Sequence, residues 1–118
     1  MGTRSVWILC FLGAFGISTA YSADLERGKT LFEDPTLGGG TSGKTCKTCH
    51  EHGDGWDENF STKQKYQVMG EKLSTLEDVV NYCIEVTLRG EGLEADSRDM
   101  TDLIAYLKSL EGKEPEAP

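Results

Sequence analysis

Two cysteines and a histidine, by their types and spacing, are the residues of this chain that most clearly predict chemistry. Cys46 and Cys49 are separated by two residues, and His50 follows at once in the stretch Cys46-Lys47-Thr48-Cys49-His50. Each thiol can add across one vinyl group of a haem, and the adjacent imidazole can ligate the iron from the proximal side. The motif therefore predicts one covalent haem c, with Cys46 and Cys49 as thioether residues and His50 as the proximal iron ligand.

Cysteines at this spacing also occur in redox dithiols and in zinc sites. A zinc site needs further ligands, and downstream of the motif only His52 and Cys83 remain to supply them. A thioredoxin-like dithiol needs a βαβ context, which the pattern of this chain does not predict. Haem attachment is therefore the favoured interpretation, and a second metal site at Glu51 and His52 is a minor alternative.

The start of the chain, residues 1–23, has the pattern of a secretory signal peptide that is removed. Arg4 gives the positively charged start, residues 6–17 form an apolar run too short to span a bilayer, and small residues follow. A retained membrane anchor is the alternative, and the shortness of the run argues against it. Cleavage after Ala20, Ser22 or Ala23 stays open. We therefore expect export to the periplasm or an equivalent extracytoplasmic compartment, where haem c is attached.

The charge of the chain is strongly acidic. The 118 residues include 12 Lys and Arg against 20 Asp and Glu, a formal net charge of −8. Removal of the leader takes Arg4 away, which leaves 11 basic against 20 acidic residues and a net charge of −9. Such a surface repels nucleic acid and anionic membranes and favours a partner with a basic surface.

Cys83 is the one cysteine left over, because haem attachment uses two and the leader contains Cys10. The stretch Ser74-Thr75-Leu76-Glu77 fits a capping box with Ser74 as the N-cap, and periodicity predicts that a helix follows it to about Leu88. Cys83 lies in the middle of its apolar stripe. The other members of the stripe are Leu76, Val79, Val80, Val86 and Thr87. Cys83 is thus predicted to face the interior, where a free cysteine is usually a small buried hydrophobe.

The remaining pattern is also helical. Residues 24–34 are predicted to form a first helix that ends at Pro35, and a last helix is predicted from Asp96 or Ser97 to about Leu110. The segment 51–70 is predicted to be a loop with a short helix near residues 64–68. Its aromatic residues, expected to cover the haem or the core, are Trp56, Phe60 and Tyr66. No β pattern is found, so the prediction is an all-α domain over residues 24–112 with a frayed acidic tail, 113–118.

A glycine-rich stretch, residues 37–43, leads into the cysteine motif. A phosphate-binding loop is the alternative interpretation of such a stretch, but Gly43-Lys44-Thr45 runs straight into Cys46 without the helix that a phosphate loop requires. The stretch is therefore predicted to be a flexible connection.

Across the whole mature chain these residues resemble the class I cytochrome c family. Residues 25–32, LERGKTLF, resemble its N-terminal helix, and residues 102–108, DLIAYLK, resemble its C-terminal helix. The resemblance implies helices wrapped round one haem, and it implies that these two helices cross. The residues implied to meet at the crossing are Gly28, Phe32, Leu103 and Tyr106.

The distal iron ligand departs from that family's usual pattern. Ordinary members use a methionine in a loop before the last helix, and residues 90–99 contain none. Residues 79–83, VVNYC, together with residues 97–101, SRDMT, resemble a smaller group of c-type cytochromes in which a helical cysteine is the distal ligand. This group includes thiosulfate-oxidising haem enzymes and the small paired monohaem cytochromes of anaerobic ammonium oxidisers. The resemblance implies Cys83 as the distal ligand, with Met69 or Met100 as the alternatives.

The resemblance to the small paired cytochromes implies a low-potential haem with histidine and cysteine ligands. It would act in redox chemistry or bind CO or NO within a heterodimer or with another cytochrome, without catalysis of its own. Two alternatives stay open: an ordinary electron-transfer cytochrome with histidine and methionine ligands, and the haem subunit of a sulfur-oxyanion-oxidising enzyme.

Overall fold

Helices account for most of the secondary structure. The computed structural model describes residues 22–51 and 56–113, together with Gly2 and Gly13. Most of the predicted leader, His52 and residues 114–118 lie outside the described residues. The α-helices are α1 (Leu25–Phe32), α2 (Cys46–Cys49), α3 (Leu76–Cys83) and α4 (Arg98–Ser109). Two strands, β1 (Tyr66–Val68) and β2 (Glu71–Leu73), form a hairpin; 3₁₀ turns lie at Leu37–Gly39 and Phe60–Thr62, and a π-helical turn at Ile84–Leu88.

The first and last of these helices cross closely, as the resemblance implied. Gly28 is buried at the crossing, where a β-carbon would overlap the backbone carbonyl of Asp102 and lie 2.7 Å from Cβ of Tyr106. One turn further along α1, the ring of Phe32 packs edge-on against that of Tyr106, with centroids 5.4 Å apart. Leu103 is fully buried in the same core. Glycine is used here because the two backbones approach more closely than any side chain allows.

A buried carboxylate ties the beginnings of α1 and α4 together. Asp102 is fully buried, accepts a hydrogen bond from Nη1 of Arg27 at 2.7 Å and another from the backbone N–H of Asp24 at 2.8 Å. Arg27 also pairs with Asp99, and this acidic surrounding raises the pKa of its guanidinium, chiefly through the hydrogen bonds to Asp102 and Asp99. A buried charge is tolerable because it is paired and hydrogen-bonded.

The predicted helical fold is confirmed for most of the described chain, but the prediction of a short helix was wrong in one segment. Residues 64–68, predicted as a short helix, belong instead to the antiparallel hairpin, in which Tyr66 pairs with Leu73 and Val68 with Glu71. The turn places Met69 at φ 48° and Gly70 at φ 89°, the two consecutive positive values of a type I′ hairpin turn. Strands of three residues are too short for an alternating pattern to be visible in the sequence.

The helix that carries Cys83 begins one residue later than predicted. Thr75, not Ser74, is the N-cap, and its hydroxyl accepts a hydrogen bond from the backbone N–H of Asp78 at 3.1 Å. After Cys83 the α-helix changes into the π-helical turn, which ends at Arg89 in the left-handed conformation. The changed winding takes Val86 off the predicted stripe, and its side chain is 48 % exposed.

The glycine-rich stretch is not merely a flexible connection, because it packs against the end of the π-helical turn. We call this contact the backbone clasp: Glu91 N–H donates to the carbonyl of Gly38 at 2.7 Å, and Thr41 N–H donates to the carbonyl of Leu88 at 2.9 Å. A β-carbon on Gly90 would lie 2.7 Å from the Gly38 carbonyl oxygen. The clasp therefore joins the segment before the cysteine motif to the segment after Cys83.

The last helix begins where predicted, since Ser97 is its N-cap and accepts from the backbone N–H of Met100 at 3.2 Å. Its inward face supplies most of the buried core together with Phe32, Ile84 and Leu88. Within residues 22–51 and 56–113, no helix has both the length and the apolar character needed to cross a membrane.

The close crossing predicts that Gly28→Ala destabilises the haem-loaded protein. Alanine favours a helix by about 1 kcal/mol over glycine, but the overlap with Asp102 and Tyr106 forces the helices apart. Overpacking costs about 1–3 kcal/mol, and an overlap with backbone atoms belongs at the upper end of that range. After the gain in helix propensity is subtracted, we expect a net loss of about 2 kcal/mol in the free energy of unfolding, measured by urea denaturation. Lys29→Ala, at an exposed position of α1, is the control and should change stability little. Equal effects of the two substitutions would contradict the crossing.

Candidate haem site

The two thioether candidates lie on a single turn of helix that is capped from both sides. Thr45 is the N-cap of α2, and its hydroxyl accepts from the backbone N–H of Thr48 at 3.2 Å. In the reciprocal hydrogen bond, the hydroxyl of Thr48 accepts from the backbone N–H of Thr45 at 2.9 Å. This capping box fixes a helix that is too short to be stable by itself. Cys46 and Cys49, three residues apart, therefore share one side of α2.

His50 follows as the C-cap of the same turn. Its backbone N–H donates to the carbonyl of Cys46 at 3.1 Å. Its ring lies against the indole of Trp56, with centroids 5.1 Å apart, and Trp56 in turn packs on Phe60 at 4.8 Å and on Phe32 at 6.2 Å. The imidazole is thus held at the edge of an aromatic cluster, which agrees with the expectation that Trp56 and Phe60 cover the haem or the core.

A cavity of about 460 Å³ brings the predicted site residues together. Cys46, Cys49, His50 and Cys83 all line it, although Cys83 is far from the others in sequence. Most of the remaining wall is apolar, and it is formed by α1, α3, α4 and the hairpin. The apolar lining residues are Phe32, Trp56, Phe60, Tyr66, Val68, Met69, Leu76, Val79, Val80, Leu88, Leu103 and Leu107. A volume of this size is typical of cofactor pockets, which are about 300–1,000 Å³.

The donor set and the wall fit a covalently attached haem. Two thiols on one helical turn match two thioether bonds, the adjacent imidazole matches an axial iron ligand, and the apolar wall matches a porphyrin face. Among the residues that the structure describes, no group of three or more His, Cys, Asp and Glu side chains can hold a metal ion by itself. The described part of the chain therefore does not support the interpretation of the motif as a zinc site. His52 lies outside the described residues, so the hypothesis of a second metal site at Glu51 and His52 is not tested.

Cys83 occupies the last position of α3, where the α-helix gives way to the π-helical turn. π-helical turns are frequent at functional sites. The neighbours of Cys83 along this wall are the side chains of Val79, Val80 and Thr87. From the opposite side of the helix, the amide of Asn81 donates to the carbonyl of Leu93 at 2.9 Å and accepts from its N–H at 2.7 Å.

The surroundings of the cavity raise the pKa of two of its thiols. Burial raises the pKa of Cys46 to about 11, with a smaller contribution from Cys83 nearby, and burial raises the pKa of Cys83, with a smaller contribution from Cys49. Both groups are therefore neutral thiols at neutral pH in the absence of iron. Coordination to a ferric ion would supply the free energy for deprotonation of Cys83, as metal ions do for coordinating thiols.

The two methionine alternatives for the distal ligand have different surroundings. Met69 lines the cavity from the hairpin turn and is 62 % exposed. Met100 is 1 % exposed within the core and is not part of the cavity wall. Cys83 combines a place in the wall with partial burial.

Several polar side chains of the wall were not predicted as site residues, and three of them lie close together in the sequence. Lys63 and Lys65 lie just before β1, and Gln67 lies within it. Two lysines beside an aromatic residue, in so acidic a chain, were a signal for an anionic group. That signal was missed because only the aromatic residues of this segment were predicted to contact the haem or the core.

The comparison with known families gives one finding. A family model described as "SoxA/TsdA, cytochrome c domain" matches residues 27–114 of the chain. This range contains α2, which we call the attachment turn because it carries the two thioether candidates, and also the hairpin, the helix of Cys83 and the last helix. No curated protein matches the chain.

The site predicts that the mass of the protein, measured after denaturation, equals that of the polypeptide plus one haem. Thioether bonds survive denaturation, whereas a haem held by iron ligands alone dissociates from the chain. Cys49→Ala should remove one of the two bonds, and the double variant Cys46→Ala with Cys49→Ala should release the haem into acidified organic solvent. Cys83→Ala is the matched control, since it should keep the covalent haem. Loss of the haem from wild-type protein in that solvent would contradict the attachment.

Proposed function

The chain belongs to the family of SoxA/TsdA cytochrome c domains, and on that premise we propose that it is a monohaem cytochrome whose iron is ligated by His50 and Cys83. Membership of a cytochrome c domain family means that the chain carries covalently bound haem c. The proposal adds that Cys46 and Cys49 form the thioether bonds. It also adds that the centre has a low reduction potential and serves redox chemistry or the binding of a neutral diatomic gas within a complex.

The observation that carries the proposal is the convergence of Cys83 with the attachment turn in one cavity. Cys83 is the third cysteine in the wall; burial raises its pKa, and Cys49 nearby adds to the rise. A thiolate ligand donates charge to ferric iron and lowers the reduction potential, whereas a methionine ligand raises it. A haem with this ligand set favours the oxidised state, and it is poorly suited to the role of a high-potential electron shuttle.

The wall around Cys83 supports a small neutral ligand. Of the neighbours of Cys83 along the wall, Val79 and Val80 are apolar, and Thr87 is polar but uncharged. CO and NO need no counter-charge in such surroundings, whereas a sulfur oxyanion must be paired with cations when it leaves water. The lysines of the wall stand on a different segment, before β1, rather than on α3 or its π-helical turn.

The haem subunit of a sulfur-oxyanion-oxidising enzyme is the second candidate, and the family match is the observation that favours it, because the matched family is named for SoxA and TsdA. In that function Cys83 would ligate the iron at a catalytic centre, and a further haem or further basic residues would come from a partner subunit. Turnover of thiosulfate by the isolated chain would support this second candidate over the first.

The acidic surface supports a partner with a basic face or a related cytochrome. With a net charge of −8 over 118 residues, two copies of this chain repel each other at low ionic strength. A heterodimer is therefore proposed in preference to self-association. Export to the periplasm or an equivalent compartment belongs to the same proposal, because haem c is attached outside the cytoplasm.

If Cys83 is the distal ligand, Cys83→Ala should change the ferric spectrum. Wild-type protein should give a low-spin EPR signal of the thiolate type, and the variant should become high-spin or recruit a substitute ligand. Its reduction potential should rise, because the charge donated by the thiolate is lost. Met69→Ala and Met100→Ala are the matched controls and should leave the EPR signal unchanged. An unchanged signal in Cys83→Ala, with a changed one in either methionine variant, would assign the distal position to methionine.

The reduced protein should bind CO. A thiolate bond to ferrous iron is weak, so a strong π-acceptor can displace Cys83 in the apolar part of the cavity. The measurement is the shift of the Soret band on addition of CO to the reduced protein, with the mass in solution followed in parallel. A ferrous spectrum that is indifferent to CO would remove gas binding from the proposal. A strictly monomeric protein that purifies alone from its native source would remove the partner.

A further inference from the structure

The charged side chains in the cavity wall are few, and they lie close together in the sequence. Among the described residues that line the cavity, Asp57 is the one carboxylate, and Lys63 and Lys65 are the lysines; no arginine contributes. Lys63 forms an ion pair with Asp57. The charges of these two side chains offset each other.

Lys65 is different, because no ion pair or hydrogen bond involves its ammonium group in the described part of the chain. It is the single uncompensated charge in a wall that is otherwise apolar or neutral, in a chain with a net charge of −8. Most lysines of so acidic a chain can pair with a nearby carboxylate, but Lys65 lies at the cavity instead. Its position indicates an anionic partner inside the cavity.

The haem c of this family brings such an anion. A haem carries two propionate carboxylates on the edge away from the carbons that form the thioethers. A carboxylate that enters a largely apolar site loses hydration, and this loss is offset when a cation or several hydrogen-bond donors replace the water. Besides Lys65, the same segment offers the amide of Gln67 at the cavity wall.

The backbone that carries Lys65 is held in place. Lys65 immediately precedes β1, and the hydroxyl of Tyr66 donates to the carbonyl of Phe60 at 2.7 Å. The hairpin also packs on α3, which contains Cys83. A lysine placed on this segment therefore reaches the cavity from a defined position, although its long side chain is exposed.

We propose that Lys65 binds a haem propionate and thereby sets both the position of the hairpin over the haem and the reduction potential. Reduction adds an electron to the haem, and a positive charge nearby favours that step. Lys65 thus opposes the effect of an electron-donating axial ligand. The proposal depends on the haem c that the family membership establishes, and it holds whether the distal ligand is Cys83 or a methionine.

The test compares Lys65→Gln with Lys72→Gln in the haem-loaded protein. Lys72 lies opposite Gln67 on β2 and is not part of the cavity wall. Lys72 lies in the hairpin and Lys65 directly precedes it, so each variant loses one positive charge from the same region, and an effect of net charge alone is common to both. We expect the midpoint potential of Lys65→Gln, measured by spectroelectrochemistry, to move to more negative values by clearly more than that of Lys72→Gln. The propionate-bending mode in the resonance Raman spectrum should change only in Lys65→Gln, and Lys65→Arg should retain both wild-type properties.

Every other outcome overturns the proposal. Equal shifts in Lys65→Gln and Lys72→Gln, with an unchanged propionate mode, would mean that Lys65 acts only as part of the surface charge. A change of the propionate mode in Lys63→Gln but not in Lys65→Gln would give the role to Lys63. If Lys65→Gln leaves the potential unchanged but abolishes a spectral response to added thiosulfate, Lys65 binds a sulfur oxyanion instead.

Discussion

The apolar cavity between α1, α3, α4 and the hairpin is the constraint on which the rest of the structure depends. Phe32, Leu103 and Leu107 belong both to the buried core and to the cavity wall. A domain of this size buries a limited fraction of its surface, so a bound apolar group is needed to complete its hydrophobic core. Haem c supplies that group, and its covalent attachment means that the core cannot lose it. Haem attachment and folding of this chain are therefore thermodynamically coupled.

Two contacts of the terminal helices hold the wall in place. At Gly28 the backbones of α1 and α4 approach too closely for any side chain, and at Asp102 a buried carboxylate joins Arg27 and the backbone of Asp24. The first contact requires that the residue at the crossing has no β-carbon. The second requires that every hydrogen bond to the buried carboxylate is made. Both are sensitive to single substitutions, because neither has an alternative arrangement of similar energy. The site is thus positioned by residues that do not line it.

Much of this arrangement could be predicted from sequence. The Cys-x-x-Cys-His spacing and the leftover Cys83 led to residues that share one cavity, and the terminal helices were recognisable from Gly28 and their apolar faces. The hairpin was missed because its strands are three residues long. The exposure of Val86 was missed because periodicity assumes one helical winding throughout. The periodicity of apolar residues thus predicted the regular α-helices. It failed at the hairpin and at the π-helical turn, where the backbone is not α-helical.

The backbone clasp has a consequence for the order in which the protein assembles. It joins Gly38, before the attachment turn, to Glu91, after the helix of Cys83, so it encloses the attachment turn, the hairpin and that helix in one long closed loop of chain. Closing such a loop costs conformational entropy before the contacts inside it form. If haem is attached at α2, as proposed, the enclosed segments would pack against it, and the entropy cost of closing the loop would be lower. Maturation by haem attachment would then precede, and accelerate, the closing of the chain around its own ligand.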